Sequence, residues 1–333
     1  MGSSLSPELT ARSKIEFQLR SNLDMPKHST WTISPMAMIL ASMLPQIPRA
    51  QTAPPQSVDD IHIEKWNSAP VRGPAYDALK PAPAPRHDIS GVWDAQIQPT
   101  GANEHRAVLP GNNNPPGGEP DERNIPNPLP YTPLGEKTLE AHKPTGLGVR
   151  SVPAVLGNDP VDICDPPGFP RLDLSEFRTI EITQTADQLI ILNQFYRTWR
   201  VIWTDGRELP KNPEPRWNGY SAGKWVDDYT FVVETVGMND KTWIDNQGRP
   251  HSGELKVEER FHRADYNHIE LTMTITDPKM YTEPWFALKN FPLKLQPHGF
   301  DIREMYCSPS DIAEYNKEIG DEVVAPPDKT EDK

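Results

Sequence analysis

From residue 178 onward apolar and polar side chains alternate with a period of two, and no other feature of this 333-residue chain narrows its fold as much. Residues 178–184, 188–203, 228–236, 254–262 and 268–276 follow the rule, separated by turn-forming pairs such as Ala186-Asp187 and Asp227-Asp228. Successive side chains of a strand point to opposite faces, so the pattern predicts hairpins with one packed and one wet face. In the last run Ile269, Leu271, Met273 and Ile275 share one face, and Glu270, Thr272, Thr274 and Thr276 the other. Residues 89–95, which include Trp93, add a first strand. The expected fold is all-β, an antiparallel β-barrel or strongly curved sheet.

Proline sets the rest of the organisation. The chain has 38 prolines, about twice the usual share, concentrated at 54–85 and 110–170. Proline fixes φ and removes a backbone donor, so these stretches predict extended arms wrapped around the barrel. A short helix is expected near 136–142. Another closes the chain: Ser308 caps it, Pro309 starts it, Asp311 completes a capping-box pattern, Ile312, Tyr315 and Ile319 share a face, and Gly320 ends it. The expected division is an N-terminal extension (1–24), a signal peptide (25–50), a proline-rich arm (51–86), a β-rich domain (87–320) and a disordered acidic tail (321–333).

The signal peptide rests on the basic Lys27-His28 followed by a mostly apolar run over 31–44, too short to span a bilayer and suited to a secretory leader. Cleavage near Ala50 gives a periplasmic or secreted protein. Cys164 and Cys307 belong to no CxxC motif; in an oxidising compartment they can form a disulfide, and otherwise they are two buried thiols. The formal net charge is -13, and residues 51–333 hold 29 basic against 44 acidic side chains. So acidic a surface repels phosphate backbones and anionic bilayers, which argues against nucleic acid and stable membrane insertion as partners.

Chemistry is sought where the alternation fails. Glu259 shares a face with Leu255, Val257 and Phe261, Glu304 lies between Ile302 and Tyr306, and continuous alternation through 195–203 places Arg197 with Phe195, Trp199, Val201 and Trp203. Tyr196 and Arg200 then fall opposite. An unpaired buried charge costs several kcal/mol, so these groups should pair with each other, line a polar cavity, or both. A second concentration is the 17-residue connection 237–253, far longer than a hairpin needs. It carries Asn239, Asp240, Trp243, Asp245 and His251. On the functional reading the loop closes over the barrel mouth, His251 transfers protons with Asp240 or Asp245 orienting it, and Glu259 supplies a second carboxylate. Arg200, Tyr196, Trp199, Trp243, Asn239 and Glu304 would then hold the ligand. On the structural reading the Asp and Asn side chains bond turn backbone and His251 lies on the surface.

HExxH, GxSxG, GxxxxGK[ST] and GxGxxG are absent, and the nine histidines lack ligand spacing, so no metal or other cofactor is expected. Several runs are distinctive: 217–225 (WNGYSAGKW), 233–245 (VETVGMNDKTWID), 248–252 (GRPHS), 259–261 (ERF), and Thr276-Asp277-Pro278 with 281–285 (YTEPW). Upstream stand 156–160 (LGNDP) and 164–171 (CDPPGFPR). Together they resemble a family of exported bacterial proteins that has no assigned activity, over roughly residues 87–318. The resemblance implies export and a shared fold. Where that family usually has an acidic residue and glycine, this chain has Val226-Asp227. The style of fold is calycin-like, and Gly91-Val92-Trp93 resembles the first strand of lipocalins and avidins. The leading functional expectation is a cofactor-free acid-base enzyme (lyase, isomerase or hydrolase) acting on a small apolar or aromatic molecule; the alternative is a non-catalytic binding protein for such a molecule.

Overall fold

Nine strands close into a barrel in a computed structural model that describes residues 57–95, 129–145, 150–174 and 179–315. The expected extension, signal peptide and acidic tail lie outside the described residues, as do Ile319 and Gly320. The strands are β1 (Gly91–Ala95), β2 (Ile180–Gln184), β3 (Gln188–Asn193), β4 (Thr198–Trp203), β5 (Tyr220–Trp225), β6 (Thr230–Val236), β7 (Lys256–Arg263), β8 (His268–Thr276) and β9 (Trp285–Leu295). Each pairs with its sequence neighbours, and β9 closes onto β1 through Trp93↔Leu295 to Ala95↔Leu293.

The alternation becomes the barrel wall. Ile269, Leu271, Met273 and Ile275 are fully buried while Glu270, Thr272, Thr274 and Thr276 are only partly covered. Trp93 is also fully buried, and its indole donates to the Ile89 carbonyl at 3.0 Å. Gly91 has φ +133°, a backbone conformation that L side chains rarely adopt, and a Cβ there would come within 2.5 Å of Leu295 Cδ1.

Three departures from simple alternation matter. The run 188–203 is not one strand: a 3-10 turn over Phe195–Arg197, with Tyr196 at φ 58° and Arg197 at φ 39°, splits it into the β3–β4 hairpin. That turn shifts the phase, so Arg200 and Ile202 face inward, whereas Arg197 is exposed and ion-paired with Glu304. The expected inward Arg197 is therefore corrected. Glu304 also departs from expectation, because 301–308 has no regular structure and its side chain is largely exposed. Third, β9 carries two register shifts opposite Leu271–Thr274, with Asn290 at φ 50°; Leu288 takes the place opposite Met273, and the odd positions Trp285, Ala287, Phe291, Leu293 and Leu295 are buried on either side of it.

All neighbouring pairs are antiparallel except β4–β5, which run parallel after a crossover through 204–219. This pair is joined at only two register positions, Ile202↔Ser221 and Trp203↔Ala222. Asn218 bridges part of the remaining gap, donating to Thr198 Oγ1 at 3.3 Å and the Trp199 carbonyl at 3.1 Å.

The proline-rich arms pack on this barrel, adding Val58, Tyr76, Leu129 and Phe169 to the core. They contain three short helices: α1 (Pro74–Asp77), α2 (Pro133–Ala141) and α3 (Arg171–Leu174). Thr132 caps α2 by accepting from Gly135 N at 3.0 Å. The C-terminal helix α4 covers Pro309–Tyr315, with Ser308 Oγ accepting from Asp311 N. Cys164 and Cys307 form a disulfide, fastening the segment before α4 to the second arm.

Candidate functional site

Because the Phe195–Arg197 turn resets the phase of β4, a guanidinium enters the barrel interior. Arg200 is 3% exposed, and its Nη2 donates to Glu259 Oε1 at 2.7 Å. Glu259 comes from β7, between Val233 of β6 and Met273 of β8, and is 0% exposed. The pair thus crosses the barrel, and its burial is tolerable only because each charge compensates the other. It is still incompletely bonded: Arg200 Nη1 and Glu259 Oε2 are buried without a hydrogen-bond partner among the described residues.

A third ionisable group joins them from α3. Asp173 is buried, and loss of water pushes its carboxyl up to about 7; Arg200 opposes that rise and Glu259 adds to it. The guanidinium also lies 3.9 Å from the ring centroid of Phe169, which the loop before α3 supplies. The trio combines one permanent cation, one carboxylate paired to it and one carboxyl that changes charge near neutrality.

Arg200 also lines a cavity of about 600 Å³ where β4 and β5 part. Its walls are aromatic: Trp199, Trp203, Trp217, Tyr196 and Tyr220. Trp199 is 64% exposed, an unusual state for so large an apolar side chain outside a binding surface. Arginines stack on two of these rings, Arg207 at 3.4 Å over Trp203 and Arg216 at 4.0 Å over Tyr220. Ser221, on the β5 side, is tied to Thr235 of β6 through their hydroxyls at 2.8 Å. Gly168 closes one wall with φ +66°; a Cβ there would meet the Trp217 carbonyl at 2.9 Å.

Of the residues singled out from sequence, Tyr196, Trp199 and Arg200 line this cavity and Glu259 stands directly behind Arg200. Asn239, Asp240, Trp243, Asp245, His251 and Glu304 do not line it. The 237–253 connection packs instead against the 129–174 arm, which accounts for its length. Its Trp243 stacks on His142, with centroids 4.7 Å apart and planes at 20°, and Arg171 lies 5.5 Å from the indole. Arg171 is itself held by Asp159 through two bonds of 2.7 and 2.6 Å. Asp245, fully buried, accepts from Gln247 N at 2.8 Å and Arg249 N at 3.2 Å and pairs with the Arg249 guanidinium. Asn239 accepts from Lys241 N at 3.0 Å, a turn bond, and Asp240 is exposed.

His251 departs from both readings of it, being 5% exposed and so neither on the surface nor at a barrel mouth. Its Nδ1 lies 3.2 Å from the Ser252 carbonyl, which can only accept, so Nδ1 carries the proton; its Nε2 is 2.8 Å from Thr242 Oγ1. The nearby Asp277 is occupied by Ser252 N and Oγ at 2.6 and 2.8 Å. Burial holds the imidazole below its ordinary range, so it is neutral and bonded at both nitrogens. His142 is likewise lowered by burial, with Nδ1 donating to the Gly248 carbonyl at 2.8 Å.

Sequence reasoning passed over Asp173 and Phe169. Asp173 stands between Leu172 and Leu174, the same signal of a polar group on an apolar face that singled out Glu259, but in a short helix of a proline-rich segment where no period guides the eye. Among the described residues no group of three or more His, Cys, Asp or Glu is placed to hold a metal ion. Comparison with protein-family models, with curated proteins and with solved structures finds no match to this chain.

Proposed function

We propose that this exported protein binds a small aromatic or apolar molecule in the cavity between β4 and β5. The observation that carries the reading is one cavity of about 600 Å³ walled by Trp199, Trp203, Trp217, Tyr196 and Tyr220, with Trp199 64% exposed. Ligand sites are typically concave and mostly apolar with a few placed polar groups, and a cavity of this volume suits a ligand of one or two rings. Export is supported by the disulfide, since such bonds persist in oxidising compartments.

Intrinsic fluorescence tests the reading, because three tryptophans line the cavity. Titration with one- and two-ring aromatic compounds should give saturable quenching. Trp199→Ala should weaken binding roughly tenfold, the scale of losing an aromatic anchor, while leaving the melting temperature nearly unchanged, because the side chain is 64% exposed. Identical affinity in Trp199→Ala would move the site elsewhere.

A second reading, acid-base catalysis on the same molecule, is favoured by one observation: Asp173 is a carboxyl poised near neutrality beside Arg200 and Glu259. Under that reading Asp173→Asn abolishes turnover and preserves binding. Under the first reading no ligand from the panel is chemically altered, and mass spectrometry of incubated ligand separates the two.

A further inference from the structure

The crossover between β4 and β5 does more than join two strands. Resting on the binding reading above, we infer that residues 205–215 form a hinged strap that swings clear to admit the ligand and then closes the cavity, with Leu209 seated on the bound molecule and Arg207 as the latch.

The strap is tied at its ends and nowhere between. Thr204 N donates to the Asp187 carbonyl at 2.9 Å before it, and after it Arg216 N donates to the Gly237 carbonyl at 3.0 Å while the Arg216 carbonyl accepts from Asn239 N at 2.8 Å. Among the described residues, 205–215 makes no hydrogen bond and no ion pair to any residue outside itself; its polar contacts run from Arg207 back to Asp205. None of its side chains is buried, and only Leu209 and Pro213 are partly covered. The 237–253 connection is the contrast, with Trp243, Ile244, Asp245 and His251 all buried. A surface segment held by so few contacts opens at little cost and without disturbing the rest of the fold.

The residues also set how it moves. Gly206, at φ +82° with open space where a Cβ would stand, gives the backbone a pivot just past the first tie. Pro210, Pro213 and Pro215 restrict φ beyond it, so the remainder moves as a stiff unit. Two contacts define the closed position. The Arg207 guanidinium lies 3.4 Å from the Trp203 ring centroid, and Pro213 packs on Gly237, where a Cβ would come within 2.6 Å of Pro213 Cγ. In that position Arg207, Glu208, Leu209 and Pro210 all line the cavity. Leu209 is the partly covered one of these four, and its apolar side chain suits the face of an aromatic ligand. Closure of this kind shields a bound molecule from water and makes its release wait on the strap.

The test uses the full chain with 2-naphthol as probe. Stopped-flow tryptophan quenching gives the rate constants, and limited trypsin digestion, read by mass spectrometry as the cut after Lys211, reports the open strap. In the unmodified protein the cut should proceed in the folded state, and saturating probe should slow it at least about fivefold, because proteolysis follows the open population; cleavage of a peptide substrate by the same trypsin should be unchanged. Arg207→Ala should raise the association and dissociation rate constants together by about two- to fivefold, the scale of an exposed cation–π contact, and should speed the cut in unliganded protein. Leu209→Ala should raise the dissociation rate alone, by about fivefold, through lost apolar contact. Quenching that leaves the cut after Lys211 unslowed, or a Lys211 that resists trypsin in the unliganded protein, would overturn the strap and leave the binding reading standing. Rate constants unaltered in both variants would do the same. Failure of the probe to quench at millimolar concentration would count against the binding reading itself, and this inference would fall with it.

Discussion

Replacing Asp173 with asparagine should stabilise this protein, and by an amount that grows with pH. The carboxyl has lost its water in the fold, which raises it from the usual 3.8 to about 7. A carboxyl raised in the folded state gives its full stability below the unfolded value, because both states are then protonated. As pH rises from about 4 toward 7 the unfolded chain releases the proton and the folded chain does not, so stability is lost across that window and levels off above the folded value. The gap is roughly three pH units, and at about 1.4 kcal/mol each the cost at pH 8 is about 4 kcal/mol. Near pH 5.5 about half of it is already present, and at pH 4 well under 1 kcal/mol. Asparagine has nearly the same shape and no charge, so Asp173→Asn removes the cost. Urea unfolding of both proteins at pH 4, 5.5, 7 and 8 measures the difference, and titrations elsewhere in the chain cancel in it. The expected result is near-equality at pH 4 and an advantage of several kcal/mol for the variant at pH 8. A difference that is flat with pH, or a variant less stable at pH 8, would refute the claim that burial holds this carboxyl protonated.

Other changes have equally definite outcomes. Glu259→Ala should cost on the order of 3 kcal/mol in urea unfolding by stranding Arg200, whereas Glu259→Leu combined with Arg200→Met should cost far less, because it leaves no charge uncompensated. His251→Ala should cost about 2 kcal/mol in the melting transition, since it empties a buried position and unpairs Thr242, and it should leave quenching by cavity ligands unaltered. Because burial lowers His251 in the folded state, its contribution is present above the unfolded value near 6.5 and is lost as pH falls, so His251→Gln should flatten the stability profile below about pH 6. Cys164→Ser with Cys307→Ser opens a loop spanning 143 residues and should cost roughly 3–5 kcal/mol by the same urea assay. N-terminal sequencing of secreted material should begin within a few residues of Gln51, and Met1 on such material would contradict export through the leader.

The strands that could be read from sequence are those in which one physical rule acts alone. β8 alternates over its whole length because one face is packed and the other is wet, and every residue stands where the period puts it. The rule failed where backbone dihedrals changed the phase. Two left-handed residues at Tyr196 and Arg197 exchanged the faces of everything after them, so the buried arginine turned out to be Arg200. Within β9 two register shifts break the period only locally, at Leu288. Glu259 was legible because a carboxylate on an apolar face demands a partner, but the sequence could not say which arginine answered it. The loop chemistry misled for a different reason. Asp, Asn and His are the types that transfer protons and also the types that tie backbone in long turns, and only the position of the 129–174 arm decides between the two uses.

The parallel β4–β5 pair gives the barrel an uneven resistance to opening. Its two register positions stand against the three that join β1 to each of its neighbours and the eight that join β7 to β8, so the shortest seam of the wall lies between β4 and β5. Local opening takes the path that breaks the fewest bonds. Amide protons of Thr198–Trp203 and Tyr220–Trp225 that face this seam, rather than β3 or β6, should therefore exchange with solvent by brief excursions that leave β7 and β8 closed, whereas those of β7 and β8 should wait for global unfolding. The cavity lies against this seam, so a molecule bound there would act as a splint across it, and its arrival should be visible as slowed exchange in these two strands alone.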